Sequence, residues 1–442
     1  MSNTIEKLKS FFSFAFLNNI YKTLTFHDFL IATFPFCLKM RAARAERMRK
    51  RFVASLRNKS KIKVAFFLQS PSIWKYGRLY WLFEHSERFE PVVVICPFNV
   101  RLNSDKGEIL RIMRQAEDFA KESGYRYFQT YDSVRNKWLN VKKLLNPDVI
   151  FYTKPYKDTL PQYHIYRFKD RLNCYAPYGI MCIDIFWIVY NLPFHNLLWR
   201  FFVETEYQRG YSQQYQTCGG KNTQVVGSLG METLMLPDYK PVDVWKPQPK
   251  RKKRIIWAPH HTVEHLFNFS NFFTYCDLMF ELAEKYKDEI QIAFKPHPVL
   301  KFKLINIWGT EKTEAYYQRW RDLPNGQLEE GYYADLFLTS DAMIHDCASF
   351  TAEYLHTRKP TMFIVKDEHT ADHWNSFGQM CFDLHYHAHK PADVEEYIKN
   401  VVIAGNDLKA AERDNFYRNY LYPKDGVMPS QKIVDEIIKQ IG

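Results

Sequence analysis

The sequence predicts an α/β protein with two Rossmann-like lobes behind an amino-terminal amphipathic helical segment. Apolar runs rich in Val, Ile and Phe alternate with helix-forming stretches from Lys61, and the same alternation restarts at Arg254. Short apolar runs that end in polar loops and feed helices are the pattern of a doubly wound parallel sheet. Between the two series lies PDYKPVDVWKPQPKRKK, residues 237–253, whose prolines and basic residues read as a linker. The divisions predicted are an arm over 1–60, a first lobe over 61–236, a second lobe over 254–391 and a helical tail over 392–442 that returns to the first lobe.

In the first series, KIKVAFFLQS reads as a buried strand over Ile62–Leu68, followed by a helix over Ile73–Phe83 and a strand over Val92–Cys96. GEILRIMRQAEDFAKES, residues 107–123, has helical periodicity, and Gly124 can stop it. Asn146-Pro147-Asp148 leads into a strand over Val149–Tyr152. The apolar stretch Met181–Trp199 predicts a buried helix, with a hydrophobic cleft wall as the alternative, and NTQVVGSLG, residues 222–230, closes the lobe with a strand and a glycine turn. Ligands of such sheets meet the strand exits. These offer Gln69 and Ser70 in one loop, Thr153–Tyr156 in a second, and Tyr178 and Gly179 in a third. The first loop has no GxGxxG, so no dinucleotide is expected.

The second series begins with RIIWAPH, which leads into His260, His261, Thr262, Glu264 and His265. His261 and His265 would share a helix face, but Glu264 is misplaced for HExxH and nothing completes a ligand set, so no metal is expected. A helix over 272–287 and the strand EIQIAF follow, and Lys295-Pro296-His297-Pro298 closes the strand. The two prolines stiffen that turn and fix the direction of His297. Residues Trp320–Glu330 read as a loop. In 335–365, apolar runs around Leu336–Leu338 and Thr361–Val365 flank Ser340, Asp341, His345, Asp346, Cys347, Ser349 and Thr351. A strand, a polar loop and a helix start near Ser349 would seat a phosphate on backbone N–H groups. The polar and aromatic stretch after Val365 predicts a pocket wall or a lid.

Net charge is +12, and residues 1–60 hold twelve Lys or Arg against Glu6, Asp28 and Glu46. A basic arm on a near-neutral body points to an acidic surface met by the arm, and away from nucleic acid. Residues 5–37 are rich in Phe and Leu but repeatedly interrupted, and KMRAARAERMRKR, residues 39–51, forms a polybasic helix. Without 18 uninterrupted apolar residues no spanning helix is expected, and no secretory signal pattern is present. The arm therefore predicts peripheral attachment to an anionic membrane surface. The eight cysteines include no CxxC, which suits a reduced, cytoplasmic protein.

Trp257-Ala258-Pro259, His297-Pro298, Ser340-Asp341, His345-Asp346-Cys347-Ala348-Ser349, Glu353, Lys359-Pro360, Asp425-Gly426 and Ser430 follow one another in an order that resembles the CDP-glycerol glycerophosphotransferase family of teichoic-acid-type polymer synthesis. The resemblance implies a GT-B-like transferase at the cytoplasmic face of the membrane. It would move glycerol phosphate or ribitol phosphate from a CDP-alditol, a donor substrate with no separate cofactor, to a lipid-linked or membrane-borne acceptor. It implies catalytic roles for His297, Asp346 and His260, donor contacts from Lys295, Ser340, His345, Ser349, Thr351 and Glu353, and acceptor-side contacts from Gln69, Ser70, Tyr178 and Gly179. His261 and His345 join Asp346 as candidate bases by chemistry.

The departures from the family pattern are equally specific. Pro177-Tyr178-Gly179-Ile180 stands where the family has His-Gly-Thr, and an unperturbed phenol is a poor base near neutral pH. His260 and Thr262 replace Thr and Arg, Gly227-Ser228-Leu229-Gly230 replaces Gly-Asn-Pro-Arg, and Cys347-Ala348 replaces Tyr-Ser. Two alternatives follow from them: a nucleotide-sugar-dependent glycosyltransferase of GT-B type, and a catalytically inactive membrane-associated assembly protein.

Overall fold

The computed structural model describes residues 35–98, 105–263, 269–331 and 333–442. They divide into two units. The first comprises residues up to Tyr178, Ile185–Gly230 and Asp425–Gly442; the second comprises Gly179–Asp184 and Met231–Lys424.

The first unit is built on β1 (Ile62–Leu68), β2 (Phe89–Ile95) and β3 (Tyr127–Gln129), a small hairpin of β4 (Tyr131–Asp132) and β5 (Lys137–Trp138), and then β6 (Val149–Tyr152), β7 (Leu172–Tyr175), β8 (Arg200–Val203) and β9 (Thr223–Val225). The main sheet has the order β3-β2-β1-β6-β7-β8-β9, and its pairings are parallel. β1 lies inside the sheet, between β2 and β6, and is buried on both faces, which is why its sequence is a continuous apolar run rather than an alternating one. Phe66 stacks on Phe151 of β6 with ring centroids 5.1 Å apart. The carboxyl-terminal helix Pro429–Ile441 adds Ile433, Ile437 and Ile441, spaced four apart on one face, to this core. Glu436 on the same helix pairs with Arg200 at 2.7 Å.

Helix Pro35–Leu56 packs on this unit through Leu38, Ala45, Arg49 and Leu56. These positions recur at intervals of four and seven and therefore share a face. The aromatic stretch predicted over 5–37 lies, up to residue 34, outside the described residues. Met181–Trp199 is not one helix. Phe186–Tyr190 and Pro193–Leu197 are separate short helices, and β8 follows at once. Pro193 at a helix start interrupts the ladder, and the buried strand RFFV merges with the apolar run before it, where periodicity cannot separate them.

The second unit has β10 (Lys253–Ala258), β11 (Ile290–Phe294), β12 (Gly326–Leu328), β13 (Ala342–His345), β14 (Thr361–Ile364) and β15 (Tyr386–Ala388). They form a parallel sheet of order β12-β11-β10-β13-β14-β15, the doubly wound arrangement with its switch point between β10 and β13. Trp257, Phe294 and Trp320 stack in its core. Part of the proline-rich stretch lies along this unit, where Trp245 is buried beside Ile256, Phe337 and Tyr354.

Two expectations for this unit are corrected. The run around Leu336–Leu338 is a helix, Ala334–Thr339, and the strand is Ala342–His345. Leu336 and Phe337 bury one side of a short amphipathic helix, so the strand begins only after Ser340-Asp341. Trp320–Glu330 is not a loop, because it holds the end of helix Thr310–Asp322 and the edge strand β12. The stretch after Val365 is regular structure: a turn at Thr370–His373, helix Ser376–Asp383 and β15. The segment Gly179–Asp184 is held against it. Asn375 donates its side-chain amide to the carbonyls of Met181 (3.0 Å) and Ile183 (3.2 Å), and its backbone N–H to that of Cys182 (2.9 Å).

Candidate functional site

The carboxyl ends of β10, β11 and β13 bring three histidines and an aspartate together. β10 runs into Pro259, His260 and His261, and β11 into Lys295-Pro296-His297. The two loops are tied together, since the His297 N–H donates to the Pro259 carbonyl at 3.1 Å. The imidazole centroids lie 4.3 Å apart for His260 and His261, 4.2 Å for His261 and His297, and 5.0 Å for His260 and His297. Asp346, just past β13, accepts the backbone N–H of His260 and that of Asn271, each at 2.6 Å.

Burial holds all three imidazoles below their ordinary pKa. His260 is pushed well down, His261 to about 4 and His297 to about 3; each also feels Lys303, and His260 and His297 feel a neighbouring imidazole. They are neutral at physiological pH and act as hydrogen-bonding groups rather than cations. His297 Nδ1 accepts from the Val299 N–H at 3.1 Å, so its proton resides on Nε2 as a donor. His260 Nδ1 pairs with Thr262 Oγ1 at 2.9 Å. Burial raises the Asp346 carboxyl to about 7 despite its two amide donors.

Among the described residues, His260, His261 and His297 form a group with metal-ligand chemistry, their nitrogens lying within 4.8 Å of one another. The surroundings fit an anion better than a cation. Nδ1 of His297 is engaged by an amide that would have to be displaced, both oxygens of Asp346 are taken by backbone amides, and Lys303 bears on the cluster. The pairing of His261 with His265 lies outside the described residues.

Glu353 and Ser349 lie on the short helical turn after Asp346. Tyr333 donates its hydroxyl to Glu353 Oε2 at 2.7 Å, and a Cβ on Gly179 would sit 3.2 Å from Glu353 Oε1 and 3.8 Å from Ser349 Cβ. Gly179, expected on the acceptor side, thus belongs with Glu353 and Ser349 in the second unit. Lys295 is buried, donates to the Gly331 carbonyl at 2.9 Å and lies 5.6 Å from the Tyr333 ring centroid.

The structure separates three expected donor contacts from this cluster. Ser340 precedes β13 at the amino end of the sheet, and its Oγ bonds the Phe337 carbonyl and the Tyr354 hydroxyl. Thr351 is fully buried and bonds back to the Cys347 carbonyl at 3.1 Å. His345 is fully buried inside the strand against Phe363 and His385. The Ser340 and Thr351 hydroxyls are used by the fold, as is His345 Nδ1, which accepts from the Cys347 N–H at 3.1 Å, while His345 Nε2 is buried without a partner. In the first unit, Gln69 Nε2 donates to Asp158 Oδ1 at 2.9 Å, and Ser70 Oγ lies 3.0 Å from Ser72 Oγ. Tyr178 pairs with the Tyr156 hydroxyl and is raised in pKa by burial of its phenol. Sequence reasoning missed Asn271, Tyr333 and Asn375, which act through hydrogen-bond partners distant in the chain.

Residues 244–439 match the family model described as CDP-Glycerol:Poly(glycerophosphate) glycerophosphotransferase. Among curated proteins nothing matches the sequence. A solved variant of the wall teichoic acid polymerase TagF is 14% identical, with 92% of this chain and 97% of that one covered and a TM-score of 0.57. The UDP-GlcNAc 2-epimerase of Neisseria meningitidis, bound to UDP-GlcNAc, is 11% identical over 86% of this chain and 100% of its own, with a TM-score of 0.53. S. aureus MnaA in complex with UDP is 14% identical over 86% and 96%, with a TM-score of 0.51. At these identities the likeness is one of fold. Residues 244–439 are thus similar in sequence to the CDP-glycerol glycerophosphotransferase family, and the chain shares its two-sheet fold with these solved structures.

Proposed function

We propose that this chain is a transferase that moves an alditol phosphate, glycerol phosphate or ribitol phosphate, from a CDP-alditol to a membrane-linked glycan or polyol-phosphate acceptor. The observation that carries the reading is the meeting of His260, His261 and His297 at strand ends of the unit that the family match mostly covers. An acceptor hydroxyl oxygen forms a bond to the alditol phosphorus while the P–O bond to CMP breaks, the hydroxyl proton passes to solvent, and the leaving phosphate gains charge. His297 Nε2–H and the His260 imidazole donate to its oxygens, and Lys303 adds positive potential. Asp346 is a positioning residue, holding the His260 loop through its amide. Glu353, fixed by Tyr333, receives a hydroxyl of the donor beside Ser349 and Gly179.

The attachment surface is helix Pro35–Leu56. Arg49 faces inward and donates to the Leu197 carbonyl at 2.7 Å, whereas Arg44, Arg47 and Arg51 are exposed together with Phe36 and Met40. Basic and apolar side chains on the outward face suit the cytoplasmic surface of an anionic bilayer. No helix among the described residues is long and apolar enough to cross a membrane.

A donor panel with a lipid-linked acceptor tests the reading. CMP release from a CDP-alditol is expected. Release of UDP or GDP would move the chain to nucleotide-sugar transfer, a reading favoured by the fold it shares with the UDP-bound proteins. No release from any CDP, UDP or GDP donor would overturn catalysis.

A further inference from the structure

Thr262 follows the two histidines at the end of β10 and has no part in the transfer described above. Its hydroxyl sits between two groups. Oγ1 accepts the backbone N–H of Phe269 at 3.1 Å and lies 2.9 Å from His260 Nδ1. The Thr262 carbonyl accepts the Ser270 N–H at 3.4 Å, so residues 269–270 are held against the loop that carries His260. Their own position is fixed from the other side. The Asn271 N–H donates to Asp346 at 2.6 Å, and the Asn271 side-chain amide donates to the Ile364 carbonyl at 3.0 Å.

A hydroxyl gives one proton and accepts on two lone pairs. One lone pair of Thr262 Oγ1 is occupied by the Phe269 amide, a group that can only donate. Among the described residues the other partner of Oγ1 is His260 Nδ1, so the hydroxyl proton has an acceptor there only when Nδ1 is unprotonated. The His260 ring is buried beside two imidazoles and Lys303 and is neutral, so it carries a single N–H. With Nδ1 accepting, that N–H is on Nε2. His297 reaches the same state through the Val299 amide. His261 does not, since its Nδ1 is buried with no hydrogen-bond partner and the fold leaves its tautomer open. The choice matters at a leaving phosphate. A ring protonated on Nδ1 would present the bare Nε2 lone pair, which repels a phosphate oxygen, whereas Nε2–H donates to it.

We propose that Thr262 is a positioning residue, which holds His260 as the Nε2–H tautomer through a relay from Phe269 N–H to Thr262 Oγ1 and from Thr262 O–H to His260 Nδ1. Its effect on transfer rests on the donor reading given above; the tautomer itself does not. Thr262 stands where the family pattern has Arg, which has donors and no acceptor and would not take the Phe269 N–H. The relay thus belongs to this chain's own departure from the pattern.

The test uses the full chain labelled with nitrogen-15 histidine, near neutral pH and without nucleotide. The His260 ring signals are those that vanish in His260→Gln. Wild type is expected to show a protonated Nε2 and an unprotonated Nδ1. Thr262→Val keeps the branched shape and removes the hydroxyl, so both tautomers should populate and the two nitrogen shifts should approach each other. Thr262→Ser should restore their separation. With the donor that wild type turns over, kcat for nucleotide release should fall about 10–100-fold in Thr262→Val, the range for removing the outer partner of a working imidazole. The donor KM should change little, and Thr262→Ser should recover the rate. Thermal melting verifies the fold of each variant. A wild-type ring protonated on Nδ1 would overturn the proposal, and that measurement needs no variant to fold. A spectrum indifferent to Thr262→Val, or an unchanged kcat in that variant, would also overturn it. An Nε2–H spectrum that responds to Thr262→Val, in a wild type that releases no nucleotide from any donor, would uphold the tautomer relay and overturn the transferase reading.

Discussion

Asp346 receives the backbone N–H of His260 at 2.6 Å, and the same carboxylate receives that of Asn271 at 2.6 Å. One side chain after β13 thereby fixes the loop after β10, on which two of the three imidazoles ride. Asp346→Ala would leave two buried amides without acceptors, at about 1–3 kcal/mol each. A melting shift of that size is expected, together with loss of donor turnover. Asp346→Asn retains one acceptor oxygen, so its stability should lie between alanine and wild type. Equal melting of all three proteins would remove Asp346 from the positioning role.

Acid should destabilise the chain well before its carboxylates unfold it. Burial lowers His195 and His345 to about 3 and His356 to about 4, so each binds its proton in the unfolded chain before it does so in the folded one. Their contribution is complete above the unfolded value of about 6.5 and is lost as pH falls, by up to about 1.4 kcal/mol per pH unit for each imidazole. Asp346 acts in the opposite sense. Its carboxyl is raised to about 7, so its contribution is present at low pH and lost as pH rises from about 4 through 7. Three imidazoles outweigh one carboxyl, and the urea midpoint should drop between pH 6.5 and 4.5. His345→Phe should flatten that slope. A midpoint that is level or rises over this range would contradict the burial of these rings as neutral groups.

Gly378 admits no side chain. A Cβ there would lie 2.0 Å from the Cys182 carbonyl oxygen, a backbone atom that cannot step aside without moving the segment Asn375 holds. Gly378→Ala should cost about 3 kcal/mol or more and weaken donor binding by displacing Gly179 from Glu353 and Ser349. Gly210, with no atom within 4 Å of its Cβ position and set inside helix Glu206–Tyr215, is the control. Gly210→Ala should stabilise by about 0.5–1 kcal/mol. Urea denaturation of the pair checks both signs.

The sequence was most legible where burial is complete. β1 and β6 begin and end where the apolar runs predict, because each lies inside the sheet with polar residues at both ends. It was least legible where apolar character is continuous across a break, as at Pro193 and β8, or where a helix imitates a strand, as at Leu336–Leu338. The candidate site divided in the same way. His297 was identifiable from the prolines beside it. Its approach to His261 was not, since only the pairing of β10 with β11 brings those loops together. Ser340, Thr351 and His345 sit in a motif-like sequence, yet local carbonyls take the two hydroxyls and the pleat buries the imidazole inside the sheet.

The two faces of helix Pro35–Leu56 should separate under mutation. Arg49 is buried, and burial lowers its pKa to about 10. Arg49→Ala removes a charged donor from the Leu197 carbonyl and should cost about 2 kcal/mol in urea denaturation. Arg44, Arg47 and Arg51 are exposed, and reversing all three to Glu should leave the urea midpoint nearly unchanged. The triple reversal should abolish co-sedimentation with phosphatidylserine vesicles and leave neutral phosphatidylcholine unaffected. Undiminished sedimentation would place membrane attachment elsewhere.

His297 is the sharpest test of the donor site. Its Nδ1 accepts from Val299, and its Nε2–H is the group assigned to the leaving phosphate. His297→Ala removes both, so part of its effect would be structural. His297→Asn can still accept from the Val299 amide while losing the imidazole N–H at the position of Nε2. If the ring only braces the loop, asparagine should restore both melting temperature and CMP release. If it stabilises the leaving group, asparagine should restore melting while kcat stays depressed by about 10²–10³, the range for removing one oxyanion donor. The imidazole is held to about 3, so between pH 6 and 8 it stays neutral and its donor role should contribute no inflection to the rate profile. Full rescue by asparagine, or an inflection in that range that disappears with His297, would show that the imidazole does not act as a neutral donor to the leaving phosphate.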